Sequence, residues 1–265
     1  MTNNFIYLTK TFIPYEYDVK DADVIFMGIP FSSTSVSSPS TYGPTIFRES
    51  MKLIEGYEDG KNIFDLKMCD LGNIDIVPGS YSLTRERIIE TIKEVRKLNE
   101  KALLVFIGGE HLITLPIIEA IKPSSVIHLD AHDDMRDDYM GNKFSHTTWA
   151  RRAAENGFKI MQYGVRSTEN GIKPKNDFDN FLNEVSKMDK YHVSLDIDVL
   201  DLQYVETGLP EPDGISPAQL FEIMKHVGKK AMSLDIVEMS GRCLPSKTGI
   251  MAANAVKKFL SVRQC

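Results

Sequence analysis

Short apolar, β-rich runs alternate with longer helical patterns along most of this 265-residue chain, and that alternation is what most restricts its fold. The runs are 23–30, 64–72, 101–109, 124–132, 158–166, 190–200 and 230–239. Helical patterns occupy about 84–99, 112–121, 146–156, 176–189, 217–228 and 248–262. Ile88, Ile89, Ile92, Val95 and Leu98 recur at helical spacing beside charged residues, as the buried face of an amphipathic helix requires. Ser216 before Pro217 reads as an N-cap with proline at the first helical position. Strands joined through helices pair in parallel by right-handed crossovers. The expected fold is therefore α/β, with three α-β-α layers around a central, mostly parallel sheet. Nothing like a repeat, low-complexity tract or linker divides the chain, so residues 1–265 read as one domain. The Ser-rich stretch 32–44 is long for a simple connection, which suits a functional or a mobile surface loop.

With 42% hydrophobic and 26% charged residues, the composition is that of a globular protein with a sizeable core. The 31 basic and 37 acidic residues leave a formal charge of −6, without a basic stripe, so no nucleic-acid partner is expected. Cys69, Cys243 and Cys265 are odd in number and far apart, which argues against a disulfide framework or thiolate metal site and for a reducing cytosol. The N-terminal residues lack a signal-peptide pattern and no apolar run could span a bilayer, so a cytoplasmic protein without a membrane partner is expected.

In open parallel sheets, ligands bind beyond the carboxyl ends of the strands. Three of those ends carry chemistry: Gly108-Gly109-Glu110-His111, then Asp130-Ala131-His132-Asp133-Asp134, then Asp196, Asp198 and Asp201. If the chain stays extended, Asp196 and Asp198 share a face, as do Asp130, His132 and Asp134. Taken singly, a strand-end Asp is a turn or cap, a His is a solvated or core residue, and Gly-Gly is a turn. Together, His111, Asp130, His132, Asp134, Asp196 and Asp198 present four carboxylates and two imidazoles, about −4 in charge, which two divalent cations neutralise. A thiolate-free set of this kind suits Mn²⁺, with Mg²⁺, Fe²⁺ or Zn²⁺ as alternatives.

These segments resemble the ureohydrolase family, the arginase and agmatinase group. The resemblance rests on GGEH (108–111), DAHDD (130–134), SLDIDVLD (194–201) and SLDIVEM (233–239). It is nearest to agmatinases through 130–153, and 28–50 is similar to the family's N-terminal segment, so it spans nearly the whole chain. It implies an arginase-like fold and two Mn²⁺ ions. His111, Asp130, Asp134 and Asp196 would hold one ion. Asp130, His132, Asp196 and Asp198 would hold the other, while Asp133, Asp137, Asp138 and Asp201 match no ligand position. A water shared by the two ions would supply the nucleophile that a resonance-stabilised guanidinium carbon demands. Asp134 would transfer its proton, His146 would protonate the leaving amine, and Glu238 would hold the guanidinium. His146 could instead cap a helix starting near Thr147, and Glu238 could be a surface residue.

The resemblance implies a small cationic guanidino substrate, foremost agmatine cleaved to putrescine and urea in polyamine biosynthesis. It also implies a homo-oligomer, a trimer or hexamer. The chain departs from the family at Leu112, in 202–214 and in 240–245. The 202–214 departure opens guanidinobutyrate and formiminoglutamate as alternative substrates; the agmatinase-like 137–146 segment disfavours arginine. A non-catalytic metal-binding homologue and a receiver-like phosphorylation module are the competing classes. The complete ligand set argues against the first, and the chain length and Asp196, Asp198 and His111 against the second.

Overall fold

The apolar runs become the strands of one sheet in a computed structural model that describes residues 8–9, 17–35, 40–169, 171, 176–241 and 244–263. The strands are β1 (Leu8–Thr9), β2 (Val24–Ile29), β3 (Tyr57–Glu58), β4 (Lys61–Asn62), β5 (Met68–Ile74), β6 (Leu103–Gly108), β7 (Ser125–Leu129), β8 (Ile160–Tyr163), β9 (Tyr191–Asp196) and β10 (Ser233–Val237). The helices are α1 (Gly43–Met51), α2 (Tyr81–Leu98), α3 (Thr114–Ile121), α4 (Trp149–Glu155), α5 (Phe178–Ser186), α6 (Pro217–Gly228) and α7 (Lys247–Ser261). The main sheet runs β1-β5-β2-β6-β10-β9-β7-β8. Its strands pair in parallel except for β1, which lies antiparallel against β5. β3 and β4 form a small separate hairpin.

Alternation along each strand feeds two cores. Val24, Phe26, Val105 and Ile107 pack on one face with residues of α1, α5, α6 and α7. Ile25, Met27, Leu104 and Phe106 pack on the other with α2, α3 and α4. Six helical patterns in the sequence match α2 to α7, and the Ser216 cap of α6 is completed by Gln219 as a capping box. Helix α1, with proline in its first turn, lies in a segment to which the periodicity assigned no helix. Its buried Arg48 binds the Asp70 carboxylate at 2.7 and 2.8 Å, tying α1 to β5. Part of the Ser-rich stretch (36–39), part of 240–245 (Arg242 and Cys243), most of the N-terminal segment and Cys265 lie outside the described residues. Cys69 is a buried free thiol.

After β6 the chain crosses to the far half of the sheet and returns, so β10 and β9 are laid down between β6 and β7. The carboxyl ends of β6, β10, β9 and β7 thus lie side by side. No described helix is long and apolar enough to cross a membrane.

Candidate active site

Each of these four central strands delivers one candidate at its carboxyl end. His111 begins the turn after β6, Asp130 follows β7, Asp196 ends β9 and Glu238 follows β10. All four are buried, with Asp134, His146 and Asp198. His111, His132, Asp134, His146, Asp196, Asp198 and Glu238 line one narrow cleft of about 20 Å³. Through His132, Asp134, Thr147 and Leu209 the cleft adjoins a cavity of about 380 Å³.

The protonation of His111 can be read from its neighbours. Ser194 Oγ donates to Asp235 Oδ1 at 2.7 Å, which uses its single proton. Its 2.9 Å contact with His111 Nε2 therefore has the imidazole N–H as donor. In the neutral ring that leaves a lone pair on Nδ1, which has no hydrogen-bond partner among the described residues; burial favours this neutral form, while Asp130, Asp196 and Asp134 hold the imidazole well above its usual range. Nδ1 nevertheless lies 3.0 Å from Asp130, 3.2 Å from Asp134 and 3.3 Å from Asp196 carboxylate oxygens. A lone pair facing three anionic oxygens is repulsive unless a proton or a cation stands among them.

A second group adjoins the first. His132 Nδ1 lies 3.0 Å from Asp198 and 3.4 Å from Asp130. Donor atoms of Asp130, His132 and Asp198 fall within 4.8 Å of one another, and Asp130 belongs to both groups. The carboxylates are held from behind: Trp149 Nε1 donates to Asp134 at 2.7 Å, and the Ala131 amide to Asp198 at 3.0 Å. Burial, then repulsion from other aspartates, pushes Asp134, Asp196 and Asp198 up. Burial would also raise Asp130, but His128, His111 and His132 hold it well below the usual carboxylate range. Burial opposes a charge on His132, yet Asp130 and Asp198 hold it up at about 12. So many buried carboxylates sharing so few protons is the electrostatics of a cation site.

His128 stands in the first group by distance, at 2.7 Å from Asp130 Oδ2. Gln162 Nε2 donates to the Asp133 carbonyl at 2.8 Å, which fixes the amide's orientation, and also contacts His128 Nδ1 at 2.9 Å. His128 Nδ1 is thus an acceptor and its Nε2–H donates to Asp130. It orients a carboxylate and has no lone pair left for a metal.

Glu238 adopts a left-handed backbone, φ 58°, and accepts the His111 amide at 2.9 Å. Burial raises its carboxyl to about 8, against that hydrogen bond and aided by Glu110. His146 contacts Thr34 Oγ1 through Nδ1 at 3.1 Å, with the Tyr139 ring edge-on at 5.2 Å. Burial, backed by His111 and His132, pulls its imidazole down to about 4.

The arginase family model matches residues 22–261. The chain belongs to the arginase family. It is similar to an agmatinase of Pyrococcus horikoshii, 38% identical over 89% of this chain and 90% of that protein. It is also similar to an N(1)-aminopropylagmatine ureohydrolase of Thermococcus kodakarensis, 34% identical over 88% of each chain. The crystal structure of agmatine ureohydrolase of Thermoplasma volcanium superposes with a TM-score of 0.84 at 27% identity, covering 94% of this chain and 92% of that one. This arginase-family chain is accordingly a hydrolase acting on a guanidino carbon–nitrogen bond.

Five of the six candidate ligands and all three candidate catalytic residues line this arginase-family cleft, and the sixth ligand, Asp130, lies against His111 and His132, although the assumed extension past the strands does not hold. β9 stops at Asp196, and Ile197–Val199 forms a 3-10 turn that brings Asp198 round, its amide donating to Asp196 at 2.9 Å. β7 stops at Leu129, and Asp134 is left-handed with φ 50°. Helix α4 begins at Trp149 rather than near 146, its N-cap is Thr148, and His146 is therefore no cap. Asp137 pairs with Arg152 in solvent, and Asp201 accepts amides in its own loop. Asp133 lines the larger cavity.

Sequence reasoning missed His128, Trp149, Glu110, Asp235 and Arg166. Parity with Asp130 could have flagged His128 within β7. Arg166 donates to the carbonyls of Asp198 (2.8 Å), Glu211 (3.0 Å) and Pro212 (2.7 Å), joining the turn after β9 to the 202–214 loop.

Proposed function

We propose that the chain hydrolyses agmatine to putrescine and urea with two Mn²⁺ ions. In this reading His111, Asp130, Asp134 and Asp196 hold one metal, and Asp130, His132, Asp196 and Asp198 the other. The observation that carries it is the placement of His111 Nδ1 among three carboxylate oxygens, with a second imidazole–carboxylate group sharing Asp130. The thiolate-free donor set fits Mn²⁺ and admits other hard divalent ions. Two such ions would supply water activated as a nucleophile at neutral pH.

The residues divide the remaining work. Glu238, facing the cleft, pairs with the planar guanidinium and turns its carbon toward the metal ligands. Asp134, its one oxygen fixed by Trp149, takes the proton of the attacking water. That proton passes to His146, whose imidazole is neutral in the resting cleft, and His146 gives it to the departing amine nitrogen as the carbon–nitrogen electron pair moves onto it. The wider cavity suits the other end of agmatine. Beyond the candidate ligands His132 and Asp134, the carboxylates of Asp133, Glu169 and Glu211 line it against the single guanidinium of Arg136, an acidic excess beside a protonated amine. The same feature disfavours guanidinobutyrate and formiminoglutamate, whose far ends are anionic.

The experiment is urea release from Mn²⁺-loaded protein given agmatine, arginine, guanidinobutyrate or formiminoglutamate, with bound metal measured on the same sample. Agmatine should give the highest kcat/KM; no urea from any of them or from N(1)-aminopropylagmatine, with two metals bound, overturns the reading in favour of a non-catalytic homologue. N(1)-aminopropylagmatine is a second candidate substrate, favoured by the Thermococcus relative and by a 380 Å³ cavity that is generous for a four-carbon diamine tail. We further read residues 1–265 as one domain of a cytoplasmic homo-oligomer, a trimer or hexamer, which light scattering in solution tests.

A further inference from the structure

We propose that Glu110, acting through the Thr34 hydroxyl, fixes the tautomer of His146, so that the ring carries its proton on Nδ1 and presents Nε2 unprotonated. Only the catalytic consequence rests on the proposed role of His146; the tautomer follows from the hydrogen bonds alone.

The loop after β2 runs close to the loop after β6. A Cβ at Gly109 would stand 2.0 Å from the Phe31 carbonyl oxygen, so only glycine permits the approach. The Glu110 amide donates to that carbonyl at 2.8 Å. Its side chain then turns under residues 33–35 and is fully buried. Oε2 accepts the amides of Ser33 at 2.8 Å, Thr34 at 2.7 Å and Ser35 at 3.2 Å. Oε1 accepts the Thr34 hydroxyl at 2.9 Å. Four donors point at one carboxylate, which accepts all of them although burial pushes its carboxyl up.

A threonine hydroxyl has one proton and two lone pairs. Thr34 commits the proton to Glu110. Among the described residues its lone pairs face only His146: the amide at 3.1 Å and Nδ1 at 3.1 Å. An unprotonated Nδ1 would set lone pair against lone pair, so Nδ1 bears the hydrogen. The ring's free base is then Nε2, on the side away from Thr34, and His146 lines the cleft beside His111, His132 and Asp134. Neutral imidazole in this form takes a proton at Nε2 and returns it there, with Nδ1–H bonded to Thr34 throughout. Thr34 and Glu110 are positioning residues.

The test uses Mg²⁺-loaded protein carrying ¹⁵N-labelled histidine, with the His146 signals identified by their loss in His146→Asn. The wild-type ring should show its proton on Nδ1. Thr34→Val keeps the shape of the side chain and removes the hydroxyl. It should abolish that preference and lower kcat for the best guanidino substrate by about 10–100-fold, with KM within about twofold and bound metal unchanged. Thr34→Ser should restore both the ring signal and kcat. A wild-type proton on Nε2 overturns the proposal, as does an unaltered ring signal in Thr34→Val. Thr34→Ser as impaired as Thr34→Val would also overturn it, because packing of the loop rather than its hydroxyl would then be at work. Should wild-type protein release no urea at all, the proposed function fails while the ring signals still decide the tautomer.

Discussion

Asp235→Asn should weaken metal binding without touching the cleft. Asp235 is wholly buried in β10 and accepts Ser194 Oγ at 2.7 Å, Thr114 Oγ1 at 2.8 Å and His192 Nε2 at 2.8 Å. Asparagine has the same shape but one acceptor oxygen. That oxygen can serve the two donors at Oδ2, which leaves an NH₂ group against Ser194. Ser194 must then turn its own proton toward His111 Nε2, and the imidazole proton moves to Nδ1, where the metal should bind. Losing the support of one ligand in this way costs about 10–100-fold in metal affinity, or about 1.4–2.8 kcal/mol. The lost hydrogen bond to a charged acceptor costs the fold about 1.5–3 kcal/mol, and roughly 3–12 °C in Tm at the 2–4 °C per kcal/mol of a chain this large. Calorimetric Mn²⁺ titration and thermal unfolding of the metal-free protein read the two effects separately. Thr114→Val is the control: it also removes a donor from Asp235 but leaves the Asp235–Ser194–His111 path intact. It should lose stability and keep metal affinity. Metal affinity in Asp235→Asn within twofold of wild type would refute the tautomer reasoning.

Asp196→Ala should abolish urea release and leave the protein with fewer than two bound metals; near-normal turnover by plasma-emission-verified protein would show the ligand assignment to be wrong. His146→Ala should lower kcat by about 10²-fold or more while both metals stay bound, so loss of metal would indicate a different role. Arg166→Lys replaces a fork that reaches carbonyls on two loops with a single point charge. It should raise KM several-fold at unchanged metal content, and unchanged steady-state kinetics would count against a role for that clamp.

The layered fold was legible because its cause is periodic. Alternating strand residues enter two cores, and six helices repeat apolar residues on one face. Helix α1 was not legible: it opens on Gly43-Pro44 at the end of the Ser-rich stretch, and its buried Arg48 reads as polar until Asp70 is brought beside it. The metal-ligand candidates were legible as titratable residues crowded at strand ends. Their route into the cleft was not, since Asp198 arrives by a 3-10 turn and Asp134 through a left-handed residue, neither of which alternation can express. The supporting residues were hidden for a third reason. Asp235 and Ser194 lie on adjacent strands, and Glu110 and Thr34 are 76 positions apart, so only the sheet order brings them together.

The same crowding bears on stability. Asp134 and Glu238 hold left-handed backbones at φ 50° and 58°, conformations that cost non-glycine residues on the order of 1–3 kcal/mol each. Asp134 and its neighbours Asp196 and Asp198 are pushed up by burial and by repulsion from other aspartates. Without cations, this end of the sheet weakens the fold. A metal that binds only the folded chain adds about 2.7 kcal/mol per site at a hundredfold excess over its Kd. Two sites would add about 5 kcal/mol, or roughly 10–20 °C in Tm for a chain of this length. Scanning calorimetry of chelator-stripped protein against the same protein with increasing Mn²⁺ should show Tm rising with the logarithm of metal concentration, whereas Asp196→Ala should give a much flatter response. If stripped protein melts where loaded protein does, the carboxylates are balanced by protons and internal hydrogen bonds alone, and the case for a metal centre loses its physical basis.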